Sequence, residues 1–371
     1  MMTQKNGETL TDIIRFERNL HRFEQIFSVA VPVLAVVAGL LTAGGLIAIV
    51  GASPLEAYKA LFQGAFGGPY ETATSLNRAI PLILAGLGVT VAFRCGLWNI
   101  GAEGQIYMGG MFSSVVAIYL VGLPIWIHLP LALLGGFVGG ALYGGFAGYL
   151  KAKHGINEII TTIMMNYIAI YIVGIMVKGP MQEPPGYFPQ SPQIQPSAVM
   201  PMILEGTRLH GGLILALVLG LLLYVVLWRT PFGYEIRTIG SNIVAARHAG
   251  MKVARVQITT MLISGGLAGL AGAAEILGAQ YRLRDFFLPN YGYDSIAVAL
   301  LGQLNPIGVM ISGVLFGALR AGAGAMQRSI MLPSSMVFVV QGTVVLFVVG
   351  TAILVNLPRT LAKKREADHG N

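Results

Sequence analysis

The chain has 371 residues, of which 11% are charged and 55% hydrophobic, and its mean hydropathy is +0.70. Soluble domains carry about 25% charged residues, so a soluble globular fold is excluded and an all-α polytopic membrane protein is expected. The net charge of +8 is read as basic inner loops rather than a nucleic-acid surface, and the single Cys95 excludes an intrachain disulfide or a cysteine metal cluster.

Residues 1–26 form a cytoplasmic segment. Ile13, Ile14, Phe16, Leu20 and Phe23 are interleaved with charges between Asp12 and Glu24. That spacing suits an interfacial helix on the inner leaflet, or a partly ordered tail. Ten apolar stretches follow, at 27–50, 78–94, 105–121, 129–150, 158–177, 212–228, 257–279, 290–303, 307–327 and 335–356. A crossing needs about 20 mostly apolar residues. The first stretch is too long for the apolar core of a secretory signal and is expected to be a retained anchor. The eighth is short and fits a tilted span or a re-entrant segment. Residues 27–357 are thus the transmembrane domain and 358–371 a cytoplasmic tail. With both termini inside, the inner segments hold more than twice as many Lys and Arg as the outer ones, Arg94, Lys151, Arg229, Arg247 and Lys364 among them. Ten spans divide into five plus five, which allows an inverted repeat with sites near the midplane. The 49 glycines favour close helix packing.

Between the second and third stretches lies Gly96-Leu97-Trp98-Asn99-Ile100-Gly101-Ala102-Glu103-Gly104-Gln105. Irregular backbone at membrane depth persists only where protein or a watered cavity satisfies it. Trp98, Asn99, Glu103 and Gln105 are therefore candidates for lining a pathway or shaping a helix break. Glu103 has three available roles: pairing with Arg94, capping a broken helix, or facing the pathway. Asn166, in the fifth stretch, can bridge helices or meet a ligand. The aromatics Phe93, Trp98, Tyr107 and Tyr167 suit an interface anchor or a stacking platform. Glu275, Asp294 and Arg320 are charges inside spans, which persist mainly when paired, and Arg320 is expected to find Asp294 or Glu275.

The outer loop from Lys178 to Gly211 carries seven prolines, among them Pro184, Pro185 and Pro201. It reads as a cap, an external docking surface or a connector. The inner loop Arg229–Met251 reads as a short helix of about two turns, with Ser241 as N-cap and Gly250 as stop. A helix this short needs something to dock against. It is either a handle for a partner or a structured loop on the leaflet. Asn305-Pro306 marks a tight inner turn. There is no G-x-x-x-x-G-K-[ST] phosphate loop, and neither a catalytic set nor a metal-ligand cluster is expected.

The runs Gly96–Gln105, Gly155–Ala169 and Gly240–Met251 together resemble ABC-importer permeases. They are most similar to the branched-chain amino acid and simple-sugar branch, and within it to nucleoside permeases that work with basic-membrane-protein-type lipoproteins. The resemblance covers most of 28–357. It implies a transport subunit without catalysis of its own, in a bacterial cytoplasmic (inner) membrane. It also implies a second permease subunit of a different chain, an external binding protein or lipoprotein, and ABC ATP-binding subunits that carry ATP and Mg. By motif, Ser241, Asn242, Ala245, Ala246, Arg247, His248, Ala249 and Gly250 would be the coupling contact with those subunits. An ion-coupled secondary transporter is the alternative from another class.

Overall fold

The computed structural model describes residues 34–330 and single helical positions between 338 and 350. The expected N-terminal segment 1–26, most of the stretch 335–356 and the tail 358–371 lie outside the described residues. Contacts divide the chain into two units, 1–54 with 333–371, and 55–332. The first holds α1 (Leu34–Ile49), a short apolar helix.

The second unit contains α2 (Pro54–Phe66), α3 (Pro69–Arg94), α4 (Ala102–Tyr119), α5 (Ile125–His154) and α6 (Glu158–Lys178). After the proline-rich loop come α7 (Gly212–Arg229), α8 (Pro231–Ser241), α9 (Ile243–His248), α10 (Val253–Glu275), α11 (Tyr291–Leu301) and α12 (Pro306–Ile330). No strand is present among the described residues. Among the described residues, six helices are long and apolar enough to cross a membrane: α3, α5, α6, α7, α10 with its π-helical extension Ile276–Gln280, and α12. Helices outrun the apolar stretches read from sequence. α3 starts at Pro69 rather than near 78, because hydropathy marks the hydrocarbon-compatible part of a helix and Asn77 and Arg78 extend it with polar turns.

Local signals fix the helix ends. Asn157 caps α6 by accepting the Ile159 amide at 2.9 Å. α5 ends in Gly155 at φ 69°, with Lys151, Lys153 and His154 in its last turn, where cations suit the negative end of the helix. The core is α3 and α10, buried over most of their length, whereas α6 and α7 are largely exposed. α4, α5 and α10 meet backbone to backbone at Gly109, Gly136, Gly140, Gly265 and Gly269, where no Cβ has room. Small residues of this kind let membrane helices approach closely enough for dispersion to hold them.

The eighth expected stretch takes a form the sequence did not suggest. α11 has 11 residues and rises about 16 Å, roughly half the hydrocarbon thickness. The chain ahead of it, residues 281–290, is a run of turns and bends without regular helix or strand. The Leu283 carbonyl accepts the Ser191 amide in the proline-rich loop at 2.8 Å. Phe287 stacks at a tilt on Tyr107, with ring centroids 4.9 Å apart, and its ring fills the space beside Gly110 midway along α4. Asn290 then reaches Glu103 near the start of α4. From there α11 runs beside Gly86 of α3 to the turn at Gln303 and Leu304. Segment 281–304 is therefore a run of turns and bends followed by the short helix α11.

Candidate functional site

The break between α3 and α4 is closed by its own backbone. Gly96 takes φ 74°, its amide donates to the Phe93 carbonyl and the Leu97 amide to that of Ala92, both at 3.0 Å. A left-handed glycine closing a helix in this way is the common end signal. Gly96 also lies against Gly240 of α8, with no side chain between them. Two separate sequence motifs thus touch.

The polar side chains of the break face inward. Asn99 and Gln105 exchange two hydrogen bonds, Asn99 Nδ2 to Gln105 Oε1 at 3.0 Å and Gln105 Nε2 to Asn99 Oδ1 at 3.1 Å. Asn99 also donates to Ser264 Oγ of α10 at 2.8 Å and accepts from the Gly101 amide at 3.0 Å. Asn166 of α6 accepts the Gly104 amide at 2.8 Å and donates to the Ile100 carbonyl at 2.9 Å and Tyr293 Oη at 3.2 Å. Thr162 takes the Ile100 amide at 3.3 Å. Asn99, Glu103, Gln105 and Asn166 are all buried, so their hydrogen bonds go to protein. Trp98 differs: it is 52% exposed and leans on Phe93, with centroids 4.7 Å apart.

Of the three roles open to Glu103, the geometry takes the second. Its two carboxylate oxygens accept the Asn290 and Gly292 amides, each at 2.7 Å. These amides open α11, so a carboxylate from α4 caps a helix 187 residues further on. Negative charge there suits the positive end of the half-helix. Gly292 lies so close to the Glu103 backbone that only glycine fits. Arg94 instead donates from Nε to the Leu304 carbonyl at 2.9 Å and from Nη2 to that of Gln303 at 3.2 Å.

Arg320 of α12 clasps Asp294 in the first turn of α11, with Nη2 and Nε at 2.7 and 2.9 Å from Oδ2. Its guanidinium carbon lies 3.7 Å from the centre of the Tyr291 ring. Glu275 is not its partner and instead accepts from Gln280 Nε2 at 2.9 Å. α11 is thus held at its start by Glu103 and Arg320, and just past its end by Arg94.

The inner loop is two helices rather than one. Thr230 caps α8 by accepting the Gly233 amide at 3.2 Å, with Pro231 at the first helical position. This Thr-Pro pair was the signal available in the sequence. The N-cap of α9 is Asn242, not Ser241: Asn242 Oδ1 accepts the Val244 and Ala245 amides, both at 3.0 Å. Ser241 is the last residue of α8, and adjacent Ser and Asn have nearly equal capping preference. Gly250, at φ 79°, closes α9, and the Met251 amide reaches the Ala246 carbonyl at 3.1 Å. Ala246 is buried, while Ser241, Asn242, Ala245, Arg247, His248, Ala249 and Gly250 are exposed. Ile243 and Val244 complete this surface, Val244 being 57% exposed, and sequence reasoning passed over both. Both are β-branched and bare on a turn capped at both ends.

Membrane-length helices, a break between α3 and α4 and a short capped helix at the surface place the chain in the class of multi-pass membrane proteins. Residues 72–349 match the family model described as "Branched-chain amino acid transport system / permease component", and the chain belongs to that family. It is 38% identical over 339 residues to the guanosine ABC transporter permease NupP of Bacillus subtilis, covering 90% of this chain and 97% of that one. It is 36% identical over 328 residues to a glucose ABC transporter permease of Haloferax volcanii, with 86% of each chain covered. A nucleoside ABC transporter permease of Lactococcus lactis shares 32% over 346 residues, 91% of this chain and 95% of that one. No solved structure matches.

Proposed function

We propose that the chain is the permease subunit of an ATP-driven importer of nucleosides in a bacterial cytoplasmic membrane. The observation that carries the coupling half is α9, capped at both ends, anchored by Ala246 and otherwise exposed. A cytoplasmic ATP-binding subunit, holding ATP and Mg, grips this tip. A second, different permease chain completes the pathway, and an external binding protein or lipoprotein delivers the ligand. Force on α9 passes through α8 to the Gly96–Gly240 contact and so to the break. Trp98, exposed beside that break, is the residue of the set best placed to face a passing ligand. This reading keeps both termini inside and ten crossings, the eighth of them at 290–303.

Similarity to guanosine and nucleoside permeases over nine-tenths of the chain supports the substrate class. The glucose permease at 36% identity favours sugars as the second reading. Reconstitution with the ATP-binding subunits and the external protein decides between them. Labelled guanosine should enter only with ATP, and excess glucose should not compete. Uptake that continues without ATP and collapses with the proton gradient would overturn the importer. Competition by glucose alone would move the substrate to sugars and leave the importer standing.

A further inference from the structure

Behind α9 lies a cavity of about 610 Å³, lined by Lys153 from the end of α5, Arg247 from α9, and Lys252 and Arg255 at the start of α10. Its remaining walls are mostly apolar, with Met251, Val253 and Ile258 among them. All four cations are exposed, and none makes an ion pair among the described residues. The nearest acid in sequence to Lys153, Glu158, is taken by Lys151 at 2.7 Å. Four like charges gathered in one concavity raise the local positive potential and favour an anion there.

A second feature names the kind of anion. Leu142, Phe146, Tyr149 and Lys153 stand at helical spacing along one face of α5, and the first three are 60%, 55% and 45% exposed. On α10, Ile258 lies just above Arg255, and Leu262 follows one turn later, against Gly145 of α5. The cationic pocket therefore sits at the foot of a greasy, aromatic-bearing face. An amphiphile with a phosphate at one end and hydrocarbon at the other matches that order, whereas a free phosphate or a protein carboxylate would use only the cations.

We propose that this pocket binds the headgroup phosphate of an anionic phospholipid from the leaflet on the α9 side. The inference rests on the proposed reading only in placing α9 at the inner face. Lys153 and Arg255 hold the phosphate, the acyl chain lies along Phe146 and Tyr149, and Lys252 adds long-range attraction. A headgroup seated there packs behind α9.

The test uses the complete transporter in phosphatidylcholine nanodiscs with and without phosphatidylglycerol, with native mass spectrometry reading retained lipid. Phosphatidylglycerol should be retained over phosphatidylcholine, and K153Q/R255Q should lower its affinity about fivefold per cation removed. K153R/R255K, which keeps the charge, should retain it and serves as the folding control. Equal retention of both lipids, or no loss in K153Q/R255Q, overturns the site. Displacement of the lipid by millimolar inorganic phosphate makes it a free-phosphate site and overturns the lipid. Loss of ATP-binding subunit association in K153Q/R255Q with unchanged lipid makes it a protein contact and does the same. Lipid retention is read without any transport substrate, so it stands or falls apart from the nucleoside assignment.

Discussion

Residues 95–105 and 240–250 are two short, glycine-punctuated polar segments, and they spend their polarity in opposite directions. In the first, Asn99, Glu103 and Gln105 are buried and bonded to α4, α10 and the start of α11. In the second, one oxygen of Asn242 does the capping and all of α9 but the buried Ala246 is exposed. The lesson is that polar residues in a membrane protein's break can be wholly occupied with holding a neighbour, while a surface segment can leave aliphatic groups bare. The first is a clamp on a half-helix; the second is the proposed handle.

That contrast breaks if the clamp can be cut without cost. Arg320→Met leaves the part-buried Asp294 unpaired and should cost about 3 kcal/mol, read as a fall in the melting temperature of purified protein. Replacing both partners, D294L/R320M, should recover much of this. An unshifted R320M would remove the clamp from the argument. Glu103→Leu strands two amides at the head of α11 and should cost about 3 kcal/mol, with Glu103→Gln losing roughly half as much.

A third region, clamped yet outside both segments, sharpens the point. His210, in the loop before α7, is buried against Gly278, and burial alone holds its imidazole down to about pKa 4 from the ordinary 6.5. Its folded-state pKa is depressed, so its neutral form is favoured by folding. The contribution is complete above pH 6.5 and is lost as pH falls from 6.5 towards 4, by roughly 3 kcal/mol at most. Melting curves across that window should steepen for the native chain and flatten for His210→Asn.

The handle should behave otherwise. Gly250→Val forces a β-branched residue into φ 79°, costing about 1–2 kcal/mol locally. ATP hydrolysis by the partner should then separate from uptake. Val244→Asp should change stability by less than about 0.5 kcal/mol yet weaken capture by ATP-binding subunits about tenfold. A V244D protein that binds them normally would show that the aliphatic tip is not the grip.

The sequence made both segments visible because glycine, asparagine and charge stand out against hydrocarbon-like surroundings. It also carried the chain's helical class and most helix positions, with α6 and α7 matching their apolar stretches closely. What it could not carry were pairings across long separations: Glu103 with Gly292, Arg94 with Leu304, Gly96 with Gly240. Hydropathy also passed over the turn-rich segment 281–290, because Arg282, Arg284 and Asp285 interrupt any apolar run. Two of these charges are neutralised by Glu183 and Lys178 near the proline-rich loop. The cap of α9 fell to Asn242 because a neighbouring serine offered the same chemistry one residue earlier.

The meeting of Gly96 with Gly240 has one more consequence. Side chains at a joint act as cushions, since they bend and rotate before the backbone behind them moves. Here main chain rests directly on main chain, so the joint has almost no play. A displacement of α8 reaches the corner between α3 and α4 without first being absorbed. An alanine at either position would insert a shim into the linkage and set the corner at a fixed offset.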